Sequence, residues 1–241
     1  MKLNNSDGLP NFSQRNNEFY FEKKGPKGTS VMKAAYMCNV TSLCMAATYN
    51  GIPEEKMPKG RFSQPEDNLC EFICTNKEVL DYYAKVNKAW YDQWESGDPS
   101  SYNPNEVHAV LAFGFNKWIG KNVDKFFENL DLRSYISFLY NGLSMPTSMT
   151  FGKLGHIICV VGMEYEGCEK IIENYINGYT NNFPSDMKII FDDPYGRCTN
   201  FDTGVYTTES GNDRVMTIDQ FIKYSKPLNT KNVMCHIMNV K

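Results

Sequence analysis

The chain is expected to be an α+β protein, on three observations. Apolar positions recur at helical spacing through most of its first two thirds, and after Gly142 they change to short apolar runs separated by Gly, Asn, Asp and Pro. No strand-helix-strand alternation runs along the sequence, and no glycine-rich phosphate loop follows a strand pattern. At 241 residues, with no break in composition, the chain is long enough for one substantial core, and it is expected to form a single domain over residues 1–241.

Residues 1–30 are rich in Asn, Lys, Gly and Pro, and "EKKGPKGTS" reads as an exposed, turn-rich segment of an extended N-terminal region. The first helix is expected from Cys38. Val40, Leu43, Cys44 and Ala47 recur at i, i+3, i+4 and i+7, and "YNG" stops the pattern at Gly51. Cys44 therefore belongs to the buried stripe, whereas Cys38 lies about 120° away around the helix axis. "TNKEVLDYYAKVNKAW" opens with Thr75 and Glu78 in capping-box spacing, and "NPNEVHAVLAFGF" repeats the device with Asn103, Pro104 and Glu106. A further helix is expected through "VDKFFENLDLRSYISFLYNG", ending at Asn141-Gly142. Then come the strand-like runs "LSMPTSMT", "GHIICVVGMEY", "MKIIFDDPYG", "CTNFDTGVY" and "VMCHIMNV", expected to form an antiparallel sheet. One late helix, "TIDQFIKY", begins at Thr217 with Gln220 in capping-box register.

Composition narrows the functional classes. With 25 basic and 28 acidic residues the net charge is -3, so no basic footprint points to nucleic acid or an anionic membrane. The longest apolar runs fall far short of the roughly 20 residues of a membrane span. The opening "MKLNNSDGLPNFSQRNN" lacks an apolar secretory segment, so synthesis in a cytoplasm is expected, with later release by lysis or in a particle. The eight cysteines are spread without a dense framework and are expected to be free thiols. Only three histidines are present and no second Cys/His cluster accompanies Cys70 and Cys74, so no metal and no cofactor are expected.

The candidate chemistry begins at Cys38. In the first turn of a helix, unsatisfied backbone N–H groups and the helix dipole favour thiolate over thiol, which makes a nucleophile. A base is still required. His156 supplies one at the start of a very apolar strand, with Gly155 before it leaving room for close approach. A neutral imidazole needs its other ring nitrogen held by a carboxylate or amide. "KIIFDDPYG" brings Asp192 or Asp193 to a strand end, where Pro194 stops the ladder, and Asp193, directly before the proline, is preferred. His108 and His236 are expected to be packed or capped by neighbours, with His236 a reserve base. Most of the aromatics, Trp90, Trp94 and Trp118 among them, are expected in the core, with some available to line a groove for a peptide or for sugar rings.

The blocks "CNVTSLCMA", "GHIICVVGMEYEG" and "IIFDDPYG" resemble the bacteriocin-leader-processing peptidases and their stand-alone relatives, the C-thirty-nine-like group of papain-like cysteine peptidases. "CNVTS", followed by "NPNEVHAVLAFGFNKWIG", is similar to forms found in phages and prophages of Gram-positive hosts. The resemblance spans roughly residues 12–225. It implies a papain-like fold, a helical half packed on a C-terminal antiparallel sheet, with Cys38 as nucleophile, His156 as general base and acid, and Asp193 as orienter. The oxyanion would be held by the Cys38 N–H and a side-chain amide from upstream. Many relatives carry Gln a few residues before the Cys, where Met32 stands here. "SQRNN" resembles the "SQRDN"-like segment of phage versions and makes Gln14 the candidate.

The implied activity is a cysteine endopeptidase acting on peptidoglycan stem or bridge peptides, as a lysin or a virion-associated wall-degrading enzyme, with phage tail proteins as possible partners. Two other readings stand beside it. One is a peptidase that processes protein precursors or leaders, and the other is a non-catalytic structural or binding module of a phage tail.

Overall fold

The computed structural model describes residues 2–9, 12–167, 169–182, 186–227 and 231–239. Cys168, one of the expected free thiols, lies outside them; the other seven cysteines are free.

A short strand β1 (Lys2–Asn4) is followed by a hairpin of β2 (Phe21–Gly25) and β3 (Gly28–Met32). The hairpin corrects the expectation of a loop through "EKKGPKGTS", residues 22–30, while keeping the turn expected there. "GPKG" is its turn, with Gly28 at φ +133 and Gly25 paired to it. Next come α1 (Cys38–Tyr49), α2 (Pro65–Thr75), α3 (Lys77–Val86), α4 (Lys88–Glu95) and α5 (His108–Ile119). The expected cap at Thr75 is displaced by one residue. The Thr75 hydroxyl donates back to the Glu71 carbonyl, and Asn76 instead accepts from the Glu78 and Val79 N–H groups. Asn87 then caps α4, so the expected single helix is two. The Asn103/Glu106 capping box forms and leads through one 3-10 turn into α5.

The stretch expected as one helix through residues 123–140 is a strand followed by a helix. β4 (Asp124–Asp131) pairs with the last strand, and α6 (Leu132–Tyr140) starts where the Asp131 carboxylate accepts from the Ser134 N–H. The signal was present at Asp131, a strong helix cap in mid-run. The remaining elements are β5 (Met145–Phe151), β6 (Leu154–Glu164), α7 (Glu169–Ile176), β7 (Lys188–Asp192), β8 (Cys198–Asn200), β9 (Val205–Tyr206), β10 (Arg214–Thr217), α8 (Ile218–Tyr224) and β11 (Asn232–Met238). Helix α7 was not anticipated. Thr217 and Gln220 form the expected capping box ahead of α8.

The main sheet is antiparallel in every pairing, in the order β10-β7-β6-β5-β11-β4. β1 pairs with β6 beyond the end of β5. The crossing requires Gly162, because a Cβ there would collide with the Leu3 carbonyl.

Central strand β6 is apolar on both faces for a structural reason. Cys159 and Val161 enter the core under α1, α2 and α5, while Ile158, Val160 and Met163 enter a second core with α6, α7 and α8. Alternation, shifted by one residue at the irregularity between Val160 and Gly162, thus feeds two apolar layers rather than one layer and solvent. Each fully buried side chain of this kind contributes roughly 1.5–3 kcal/mol. Helix α1 is buried from Asn39 through Tyr49, and Cys38 alone on it stays half-exposed. The helix is enclosed all round, with its small polar residues Asn39, Thr41, Ser42 and Thr48 buried beside the apolar ones, and only its N-terminal tip reaches the surface. Among the described residues, no helix is long and apolar enough to cross a membrane.

Candidate active site

Cys38 is the first residue of α1. Met37 at the N-cap position supplies no side-chain cap, so the amides of the first turn keep their capacity for an anion. A 3-10 turn over Ala34–Tyr36 delivers the chain into this position. The Cys38 thiol donates to the Asn39 side-chain oxygen at 3.2 Å, and Asn39 in turn donates to the Asn105 carbonyl at 2.8 Å.

His156 reaches the same place from the sheet. It is the third residue of β6, opposite Met149 of β5, and its ring is about 10% exposed. Nε2 lies 2.7 Å from Asp193 Oδ1, leaving Nδ1 as the nitrogen available to the Cys38 sulfur, which interacts with the ring. Two opposing effects act on the imidazole. Burial pulls its pKa down, but the charge and hydrogen bond of Asp193, and behind them Cys38, outweigh burial and raise it to about 10.

Asp193 stands one residue past the end of β7, and its carboxylate is fully buried. Oδ1 also accepts the Tyr195 N–H at 2.9 Å in an Asx turn, and Oδ2 accepts the Tyr206 hydroxyl at 3.2 Å. Burial and the Asp193 charge together hold the Tyr206 phenol protonated far above its ordinary range, so it stays a donor. The neighbouring Asp192, the other carboxylate offered by the sequence, turns away. It accepts from the Tyr49 hydroxyl at 3.0 Å and the Asp213 N–H at 2.8 Å, and burial raises its pKa to about 6.

Gln14 is buried in the segment that packs against the turn ahead of Cys38. Its amide donates to the Ala34 and Ala35 carbonyls at 3.2 and 3.3 Å. The segment around it ties two parts of the site together. The Gln14 N–H donates to the Pro194 carbonyl at 3.0 Å, the Arg15 guanidinium donates to the Tyr195 and Thr207 carbonyls, and it lies 4.4 Å over the Tyr195 ring. "SQRNN" therefore joins the turn ahead of Cys38 to the loop that carries Asp193.

The other two histidines form a separate chain. His236 Nδ1 lies 2.8 Å from Asp124 Oδ2, its Nε2 is 3.0 Å from His108 Nδ1, and His108 Nε2 is 3.0 Å from Ser148 Oγ. Both rings are packed and capped by neighbours, as expected, but His108 and Ser148 also reach the cleft.

The cleft itself, of about 180 Å³, brings Cys38 and His156 together with Tyr36, Glu106, His108 and Lys226. It adjoins, through Tyr36 and Glu106, a polar hollow of about 510 Å³ walled by β3 and by Tyr20. A hollow of similar size between β4, β11 and α6 has no cysteine, histidine or serine on its wall. Trp94 is buried, whereas Trp90 is exposed and packs against Tyr102 with ring centroids 4.7 Å apart and the planes tilted by 38°, near the cleft. Sequence reasoning missed Tyr206, Lys226 and Ser148, which carry no local motif. Tyr195 was legible as the third residue of an Asp-Pro-Tyr turn. Among the described residues no group of three or more His, Cys, Asp or Glu side chains is arranged to hold a metal. The chain matches no family model, no curated protein and no solved structure.

Proposed function

We propose that the protein is a cysteine endopeptidase of papain-like architecture. The observation that supports this most directly is the meeting in one cleft of a half-exposed helix-start sulfur and an imidazole whose Nε2 is held by a buried carboxylate, which leaves Nδ1 free to face the sulfur. In this reading Cys38 thiolate attacks the carbonyl carbon of a peptide bond. The oxyanion forms against the Cys38 N–H at the uncapped helix start, and Gln14 is the proposed second donor once its amide leaves one alanine carbonyl. His156, protonated at neutral pH, passes its Nδ1 proton to the leaving amine as the thioester forms. The now neutral ring takes a proton from water, which attacks the thioester and frees the carboxylate product. Asp193 fixes the ring and favours its protonated form throughout.

The substrate we propose is a peptide of peptidoglycan, cut by a lysin or by a wall-degrading enzyme carried on a virion. The phage-like form of the "CNVTS" block supports that choice, and the adjoining hollow with exposed Tyr20 and Tyr36, together with exposed Tyr102 in the cleft, gives an extended chain room on one side of Cys38. The test is zymography on Gram-positive cell walls with mass spectrometry of the fragments, comparing wild type with Cys38→Ala. Clearing by wild type alone, with new peptide termini, supports the reading. Equal clearing by both proteins removes it.

A further inference from the structure

The cleft holds a lysine that makes no ion pair among the described residues. Lys226 lines it beside Cys38 and His156, half-buried. Its backbone is held from both sides: its N–H donates to the Ser148 carbonyl at 3.0 Å, and its carbonyl accepts the Met234 N–H at 2.6 Å. The residue is thus anchored between β5 and β11. Its Nζ hangs over Gly155, 2.9 Å from where a Cβ at that position would be, which places the ammonium against the residue preceding His156.

Some lysines of the protein pair with acids, while others on the surface, Lys33 and Lys125 among them, do not among the described residues. Lys23 pairs with Glu95, Lys77 with Asp81, Lys88 with Asp92, Lys117 with Glu78, Lys188 with Glu164 and Lys223 with Asp202. Among the described residues none does so for Lys226. Among the described residues the one carboxylate lining the same cleft, Glu106, accepts the Asn103 N–H at 2.7 Å and the Asn103 amide at 2.9 Å through one oxygen, and it makes no ion pair with Lys226. An ammonium taken partly out of water without a counter-charge is a cost to the fold, and a ligand that brings the missing negative charge recovers it.

We infer that Lys226 is a specificity residue that recognises a carboxylate placed beside the scissile amide. This rests on the peptidase reading of Cys38 and deepens it: the preferred substrate is a peptide with an acidic side chain or a free chain-terminal carboxylate next to the bond that is cut. Both sources share one chemistry, a planar anion able to accept from Nζ.

The test needs no known substrate. Cys38 is alkylated with iodoacetate, an anion, and with iodoacetamide, its neutral counterpart, and the two rates are read at Cys38 by peptide mass spectrometry. The imidazolium acts on both wild type and variant, so the change in the rate ratio isolates Lys226. At low ionic strength the iodoacetate-to-iodoacetamide ratio is expected to fall by about threefold to fivefold in Lys226→Gln. It should be retained in Lys226→Arg, and the wild-type advantage should shrink as salt is added. A ratio unchanged in Lys226→Gln overturns this inference alone. Failure of Cys38 to react faster than an ordinary exposed thiol with either reagent overturns the peptidase reading and this inference with it.

The source of the carboxylate is separated by protection of Cys38 from iodoacetamide. Acetyl-glutamate amide, the free acid acetyl-alanine and neutral acetyl-glutamine amide are compared. Stronger protection by the first assigns an acidic side chain, and by the second a chain terminus, each lost in Lys226→Gln. Equal protection by all three overturns the inference.

Discussion

His156 Nε2 and Asp193 Oδ1 are 2.7 Å apart, and the same carboxylate also holds the Tyr195 N–H and the Tyr206 hydroxyl. A buried carboxylate with three donors has a fixed orientation, so the ring it faces is fixed as well. This relationship determines the pH behaviour expected of the site. The His156 pKa is raised to about 10 against an ordinary 6.5, with the Asp193 charge and hydrogen bond outweighing burial. Its contribution to stability is therefore fully present below about pH 6.5 and is lost as pH rises through 10. In Asp193→Asn the alkaline limb of Cys38-dependent turnover should move down from near pH 10 towards the ordinary histidine range, and kcat should drop by about 10²-fold or more. An alkaline limb that stays in place in the variant would assign the elevated pKa to another cause.

The two cysteines of α1 should behave as different chemical species. Cys38 stands at the exposed tip, whereas Cys44 is fully buried and its thiol pKa is driven well above the usual value by burial and by nearby Glu66, Glu54 and Asp67. Iodoacetamide should label Cys38 in the native protein and leave Cys44 untouched until unfolding. Cys38→Ser should fold with an unchanged melting temperature and lose about 10³-fold or more of its activity. Cys44→Ala should keep the activity and cost about 1 kcal/mol of stability. A fully active Cys38→Ser protein would remove the nucleophile from the scheme.

Why these three side chains were legible while much around them was not follows from where the signals sit. Cys38, His156 and Asp193 each mark an element boundary, and boundaries leave local signatures: small residues after a helix start, a glycine before an apolar strand, a proline after a carboxylate. The structure brings all three together and places Asp192, one residue away, on Tyr49 instead. β4 was hidden because "VDKFFENLD" carries no strict alternation, and only pairing with β11 makes it a strand. Tyr206, Ser148 and Lys226 arrive at the site through sheet register and loop return, long-range facts that no window of sequence contains. The role of "SQRNN" was half visible. Its position beside the site was expected, but its hydrogen bonds to Pro194, Tyr195 and the alanine turn depend on tertiary structure.

Gln14 allows its two possible contributions to be separated. Its amide now braces the turn of Ala34 and Ala35, four and three residues before the nucleophile. Alkylation by iodoacetamide displaces iodide and generates no oxyanion, whereas amide hydrolysis does. Gln14→Ala should therefore lower kcat by about 10²- to 10³-fold while leaving the Cys38 alkylation rate within about twofold of wild type. If both rates fall together, Gln14 acts only by holding the turn in place.

The His108–His236–Asp124 chain makes the remaining prediction, and it concerns stability. His236 and Asp124 are both fully buried as a pair, and His108 stacks on Phe126 with ring centroids 4.8 Å apart. Burial holds the His108 pKa well below 6.5, and the facing charges of His236 and Lys226 push the same way. The native ring stays neutral where the unfolded one takes up a proton. Stability should thus fall as pH drops below about 6.5, because the unfolded chain then binds the extra proton. In His108→Asn this part of the acid slope should vanish from the melting temperature plotted against pH. His236→Ala should cost about 3 kcal/mol, since it strips a buried carboxylate of its donor and leaves a cavity, and chemical denaturation measures that loss directly. Because the chain ends at Ser148 and touches neither Cys38 nor Asp193, the iodoacetamide rate at Cys38 in folded His236→Ala should match wild type. A rate that collapses with the fold intact would make the second histidine pair part of the reaction centre.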